Sequence, residues 1–476
     1  MALISPTNLQ TLHFASERQI TSLHATPSRK YDFVSLDKAE KATIIPAREL
    51  FDDLPKGDPG SDALPTISEC AVHLEMLEAF HTLRNEVTQS KQLDYVFNIH
   101  PSPQTVYRKK WVNRKFVIET VPIRDKSFPE KRKVKWKYFL QIAAARFHEW
   151  IRVVDDHLKD AEAGITPPNW LLLPPLDVLV IWHAFLLNCD DFKNYCHRKK
   201  LVHVQSIVFP WAQIHTAIDS DTCKYNLSEE HSDWLSKSNG INADLVEALS
   251  AAWRPKGIVK EMLSAFDDYG LVLGLKKSSE PMFETIKAAR DGRLTNRAIV
   301  ENVERQCVFV DKMHAHRWIR SPAVEGTLRR AVDRYDKFLH LFRLYPNQFL
   351  VPTLDVDLAW HTHQCSAANY REFVTTRVRR FINHEDKIGR GTLDGGFTNA
   401  EQWYRLRFGE QYQVCLCWSC EAVLSAVEEL DEDILDEVDP PISGLVKAVD
   451  RRVHYYREAE IARRMGRPAP IWNHKA

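Results

Sequence analysis

From Val72 onward the apolar positions fall into helical intervals, with Leu74, Leu77, Phe80 and Leu83 spaced by threes along one stripe. The same kind of segment returns from Val303 through Val308, Phe309 and Met313. A second amphipathic helix is predicted after each, over Phe139 to Leu158 and over Ala331 to Tyr345, where Tyr335, Phe338, Leu339 and Phe342 form the apolar face. A third segment closes each series. Leu176-Asp177-Val178 runs to Trp182-His183, and Leu354-Asp355-Val356 runs to Trp360-His361, both fitting Leu-Asp-Val-x-x-x-Trp-His. His183 and His361 stand 178 residues apart, as do the two tryptophans. Self-similarity at a fixed interval signals a duplicated unit. The predicted fold is mainly α, with two pseudo-symmetric helical lobes.

One stretch breaks the helical pattern. Trp111 to Ile118, followed by Val121-Pro122-Ile123, is rich in β-branched and aromatic residues and reads as strand, giving a small β-hairpin insertion in the first lobe. The predicted organisation is then an extended lead-in over 1–69, marked by Pro6, Pro27, Pro46, Pro55, Pro59 and Pro65. A first helical repeat covers 70–204, with the insertion at about 89–137, and a helical bridge covers 205–300. A second repeat covers 301–416, and an acidic, then basic, helical segment covers 417–476. The first copy carries about ten extra residues, around Gly164 to Trp170, before its signature.

Composition changes this picture little. Lysine and arginine number 64 and so do aspartate and glutamate, which leaves no global field for DNA or an anionic membrane. Nine cysteines in 476 residues do not make a secreted disulfide framework, and reduced thiols in a cytoplasmic protein are expected. The start, Met1-Ala2-Leu3-Ile4-Ser5-Pro6, lacks the basic leader and apolar core of a signal peptide. No stretch has the roughly 20 apolar residues of a membrane span. Locally, Arg108 to Lys137 holds 12 lysines or arginines against Glu119, Asp125 and Glu130. Such a ribbon is a candidate for phosphate or RNA. The bland reading is a solvated hairpin beside the acidic run from Glu421 to Asp439.

The signature segments admit two physical readings. As a helix, Thr353 caps the start, Asp355 sits at the positive end of the dipole, and Asp357 and His361 share one face. His363 is then thrown about 200° from His361. As a strand, Asp355, Asp357, His361 and His363 would line one face, a set suited to a two-histidine, one-carboxylate iron site. The first copy favours helix, because Leu179 to Trp182 is continuously apolar and Pro175 suits a helix start. Asp177, Trp182, Asp355 and Trp360 form the shared motif core, and His183 and His361 read first as buried core histidines. His363 stands where the first copy has Phe185, so shared packing does not require it. Candidate metal ligands are therefore Asp357, His361, His363 and His183, for Fe(II) or zinc. A weaker cluster, Cys415, Cys417 and Cys420, is a candidate structural zinc site. No Gly-rich phosphate loop or Gly-x-Ser-x-Gly elbow is present.

With these residues in view, the chain resembles the glycine-rich domain-containing protein-like family. The likeness is carried by Pro174 to His183, Gln306-Cys307-Val308-Phe309-Val310-Asp311-Lys312-Met313, Val351 to Gln364 with its Trp-His-Thr-His-Gln string, and Gly395-Gly396-Phe397 to Trp403 with Phe408-Gly409. It covers about residues 70–415. The resemblance implies a helical duplicated domain of the fungal type, with 16 glycines in all and no glycine-rich tail. It also brings possible functions. Plant members have been linked to growth, stress responses and RNA binding, and fungal relatives carry the label of 2-oxoglutarate-dependent dioxygenases. The expected function is an interaction or regulatory module with a protein partner. The alternatives are a metal-dependent enzyme using His361, His363 and Asp357, and RNA or phosphate binding through the basic insertion. Whether the chain is an enzyme stays open on sequence alone.

Overall fold

A computed structural model describes residues 46–55, 60, 62–162, 172–251, 258–264, 280–384, 390–428, 442–468 and 470. Most of the proline-marked lead-in, the Gly164 to Trp170 stretch and the acidic residues 429–441 lie outside the described residues. The described chain is mainly helical, as its periodicity predicts. In order it runs α1 (Ile67–Gln89), α2 (Lys91–Val96), β1 (Gln104–Val112), β2 (Lys115–Ile123), α3 (Phe128–Glu162), α4 (Leu176–Leu186), α5 (Cys189–Lys199) and α6 (Trp211–Ala217). Two-residue strands β3 (Ile218–Asp219) and β4 (Lys224–Tyr225) precede α7 (Glu229–Asn239), α8 (Leu245–Ala251), α9 (Ile258–Ser264), α10 (Glu280–Asp291) and α11 (Arg297–His316). The remainder is α12 (Val324–Leu344), α13 (Leu354–Gln364), α14 (Ala367–Val378), α15 (Arg390–Phe408), α16 (Trp418–Glu428) and α17 (Ile442–Arg464). The signature segments are the helices α4 and α13, so the strand alternative does not hold.

The chain divides into two compact units. One comprises residues 79–205 and 223–308. Its spine is the long α3, which packs against α4 and α10. Phe139, Phe147, Trp150 and Val154 of α3 are buried, and so is every residue of α4 after Leu176. A helix that is apolar all round belongs inside a core. Burying each such aromatic is worth roughly 1.5–3 kcal/mol. The α3 helix starts eleven residues before the predicted Phe139, so part of the expected insertion, Lys131 to Lys137, is helix rather than ribbon.

The predicted strand from Trp111 to Ile118 is not continuous. Asn113 and Arg114 take positive φ of 49° and 64°, and the chain reverses there into an antiparallel hairpin with Trp111 opposite Phe116. Two successive left-handed residues match the twist of a two-residue hairpin turn, which β-propensity alone does not register. At its base, Asp125 accepts from the Ser102 and Ser127 amides and from Lys131 Nζ, a clamp that fixes where the ribbon leaves the body.

The other unit comprises residues 1–78, 206–222 and 309–476, as far as they are described. Here α12 is central, packing against α13, α14, α15 and α16. Its Tyr335, Phe338, Leu339, Leu341 and Phe342 are buried. The segment before α13 passes close to α15 at Gly396, where a Cβ would come within 2.4 Å of Phe349, so only glycine fits without displacement. Glu421 and Glu428 pair with Arg330, and Glu428 also with Arg329, all within this unit.

Candidate functional site

Helix α13 begins where Thr353 takes an extended backbone, and the Asp357 amide bonds back to the Thr353 carbonyl. The Thr353 hydroxyl does not cap the helix. It accepts from Arg334 instead, whose Nε donates to Asp355 at 2.7 Å and whose Nη2 donates to the Tyr412 carbonyl at 2.6 Å. Both charged partners are buried, so α13 is pinned to α12 by an ion pair whose guanidinium also donates to the Gln411 and Tyr412 carbonyls, while Asp355 Oδ1 is buried without a hydrogen bond among the described residues. Tyr412 closes the frame by donating its hydroxyl to the Val351 carbonyl. One turn further, the Trp360 indole donates to the Tyr370 hydroxyl at 2.8 Å, and Tyr370 donates to the Ile382 carbonyl at 2.6 Å. This chain fixes the segment that carries His384 two residues later.

The consequence is a three-residue cluster. His361 Nε2 lies 3.0 Å from His384 Nε2, and both face Asp357 Oδ1, at 3.3 and 3.5 Å. Asp357 and His361 share a face because they are one turn apart. His384 arrives from a loop, at a spacing that no helical pattern marks. The His361 side chain is 1% exposed, His384 12% and Asp357 21%, and the Asp357 Oδ1 that faces both rings is itself buried. Burial acts to raise the Asp357 carboxyl, but His361 and His384 beside it, with Lys312, outweigh burial and hold it below its ordinary value. Phe309 packs on the His361 ring at 4.4 Å and Trp360 lies edge-on to His384.

Chemically, two imidazole nitrogens and one carboxylate oxygen converge on a single point. Bond lengths near 2.0–2.1 Å in a tetrahedral zinc site place ligand atoms roughly 3.3 Å apart, and the observed edges bracket that value. The same donor set suits Fe(II). Of the sequence-predicted ligands, Asp357 and His361 come together, and His384 completes the group in place of His363. The His363 ring turns to the other face, where its Nδ1 meets the Tyr335 hydroxyl at 3.0 Å between the rings of Tyr370 and Phe373. Burial pushes its pKa down to about 3, which keeps the ring neutral. Asp355 is taken by Arg334. His183 belongs to the other unit, where its ring packs on Phe80 at 5.5 Å. Cys415, Cys417 and Cys420 do meet, with their sulfurs within 4.8 Å of one another.

In the unit that holds α4 the frame recurs. Arg146 of α3 donates to both oxygens of Asp177 at 2.7 and 3.2 Å and to the Asn242 carbonyl at 2.6 Å. Tyr225 donates to the Pro174 carbonyl ahead of α4. Trp182 packs on Trp150 at 5.1 Å, as Trp360 packs on Phe338 at 5.9 Å. Neither arginine belongs to the repeated phrase, because each lies on the preceding helix, and their distances to the aspartates differ by ten residues. The hairpin is exposed along nearly its whole length. Tyr107, Trp111, Phe116 and Ile118 share one face and are 59–77% exposed. Lys131 of α3 pairs with Asp125, and Arg132 and Lys135 share Asp94, which reduces the basic excess beside the ribbon.

These features define a mainly helical protein with a candidate metal-ligand cluster on a short buried helix, and no helix among the described residues is long and apolar enough to cross a membrane. Residues 260–372 match the family model described as glycine-rich domain-containing protein-like. Over that stretch the chain is similar to that family. Glycine-rich domain-containing protein 2 of Arabidopsis thaliana is 26% identical over 284 residues, 57% of this chain and 30% of the relative. Glycine-rich domain-containing protein 1 of the same plant is 32% identical over 131 residues, 25% of this chain and 15% of the relative. The matched stretches thus span less than a third of either curated relative. No solved structure matches the chain. The family match includes Asp357 and His361 but ends before His384.

Proposed function

We propose that this chain binds a divalent transition metal through Asp357, His361 and His384. The observation that carries the reading is the convergence of Asp357 Oδ1, His361 Nε2 and His384 Nε2 within 3.5 Å of one another. Three protein ligands, one short of a tetrahedral set, make the arrangement of a catalytic rather than a closed structural site. A bound ion there would polarise a ligand oxygen or lower the pKa of a bound water. Elemental analysis of protein loaded with zinc or Fe(II) and then desalted tests the reading. In a Cys417→Ser background, which removes the thiol cluster, one equivalent is expected, lost when Asp357→Ala or His384→Ala is added and kept with His363→Phe. No retained metal in that background, or equal retention in all variants, overturns it. The matched Arg–Asp frames of α3–α4 and α12–α13 support reading the two signature helices as diverged copies.

The hairpin favours a second role, binding of single-stranded RNA. Its exposed Tyr107, Trp111 and Phe116 lie beside Arg108, Lys109, Lys110, Arg114 and Lys115, with Glu119 as the one acidic residue of the ribbon. Aromatic faces for stacking among backbone-tracking cations are what such a ligand uses. Affinity for an RNA oligonucleotide is expected to fall steeply with salt and to drop in Trp111→Ala. Salt-insensitive or absent binding removes this role.

A further inference from the structure

A second cluster of metal-ligating side chains lies outside the Asp–His group. We infer that Cys415, Cys417 and Cys420 form a trithiolate zinc site. The three sulfurs lie within 4.8 Å of one another, and all three residues are thiols. Zinc–sulfur bonds near 2.3 Å in a tetrahedron require sulfurs roughly 3.8 Å apart, so capture of the ion needs a contraction of at most about 1 Å.

The backbone around the thiols is held in advance. The Trp318 indole donates to the Leu416 carbonyl at 2.9 Å, between Cys415 and Cys417. In return, the Trp418 indole donates to the His316 carbonyl at 2.7 Å. These reciprocal bonds fasten the Cys-x-Cys-x-x-Cys loop to the end of α11, so the sulfurs are brought together by the fold and not by chance proximity on a free loop. Cys417 and Cys420 are buried and Cys415 is partly exposed, which gives the ion one entry side. Next to Cys417 a cavity of about 50 Å³ is lined by His316, Arg317, Trp418, Arg457 and Glu460, with room for a solvent molecule as fourth ligand. Three thiolates around Zn(II) carry a net charge of minus one. Arg457, stacked over the Trp418 ring at 5.9 Å, supplies the nearby positive charge. Binding exchanges three thiol protons for one ion, with no change of oxidation state.

The test uses the full chain in two arms. Cobalt(II) titration of the metal-free protein reads the ligand type, because sulfur-to-cobalt charge transfer in the near ultraviolet arises from thiolates and not from the histidine–aspartate cluster. In the second arm, zinc-loaded protein is treated with an organomercurial and the released zinc is measured with a chromophoric chelator. The expected result is a charge-transfer band and one equivalent of mercurial-released zinc, both unchanged in His384→Ala and both lost in Cys417→Ser and Cys420→Ser. Lack of the band in the wild type, together with thiols that react as fast with zinc as with chelator present, overturns the assignment without recourse to any variant. Retention of copper(I) but not zinc, or recovery of a disulfide among the three cysteines from freshly purified protein, also overturns it.

Discussion

In α4 an arginine from the preceding long helix grips Asp177, a tyrosine clamps the carbonyl ahead of the helix, and Trp182 packs on an aromatic one helix away. In α13 Arg334, Tyr412 and Trp360 do the same for Asp355. The two scaffolds correspond, with the tyrosines clamping carbonyls one position apart in the aligned phrases, yet other positions of the two helices differ. Where α13 has Asp357, α4 has Leu179; where α13 has His363, α4 has Phe185; and where α14 has Tyr370, α5 has Phe192. One helix of the pair is therefore packing throughout, while the other has polar groups placed on the same packing. The difference teaches that the Trp–His phrase is a structural frame, and that chemistry, where present, is added to it by Asp357 and by the distant His384.

The frame itself can be broken in either unit. Trp360→Ala and Trp182→Ala are each expected to cost about 3–5 kcal/mol in chemical denaturation, as buried truncations. Only Trp360→Ala should also weaken metal retention, since it alone removes the bond that holds the His384 segment. Arg334→Met and Arg146→Met come next, at about 3 kcal/mol each, because each leaves a buried carboxylate without its partner. A large cost in one unit and none in the other would show that the two frames are not equivalent.

Much of this was legible in the sequence, and the reasons for the exceptions are physical. Helix period and the invariant interval between the two phrases are local signals, so α3, α4, α12 and α13 and the shared face of Asp357 and His361 could be read directly. The grip of Arg146 and Arg334 could not, because an arginine on an amphipathic helix looks like any solvated charge until the partner helix is folded against it. His384 was missed for a similar reason. It comes from a loop 23 residues beyond His361, and the only trace of its placement is the Trp360–Tyr370–Ile382 chain, which exists in three dimensions alone. His363 stands out in the sequence because the first copy has Phe185 there, and in the fold its ring lies on the other face of the helix, against Tyr335.

His363 sharpens the comparison through pH. Burial holds its folded pKa at about 3, below the ordinary 6.5, so the unfolded chain binds the proton more readily. The stability contributed by keeping this ring neutral is whole above pH 6.5 and is lost as the pH falls toward about 3. Between pH 7 and pH 5 the loss amounts to about 2 kcal/mol. Phe185 at the matching position of α4 cannot titrate. His363→Phe should flatten the decline in urea-denaturation stability over that range; an unchanged slope would place the acid sensitivity elsewhere.

The smallest change separates frame from chemistry most cleanly. Tyr370→Phe converts the α13 unit to the Phe192 pattern by deleting one hydroxyl, which accepts from Trp360 and donates to the Ile382 carbonyl. The ring remains to fill its buried space, so the cost should be about 2 kcal/mol, the scale of the two hydrogen bonds removed. His384 would keep its chemistry but lose the anchor two residues before it, and loss of such an outer support typically lowers metal affinity about 10- to 100-fold. The expected outcome is a modestly shifted denaturation curve with a much weaker zinc isotherm, while Phe192→Tyr in the other unit leaves metal binding untouched. If affinity and stability in Tyr370→Phe fell only together, the hydroxyl would be part of the packing frame and the asymmetry between the two helices would lie in Asp357 and His384 alone.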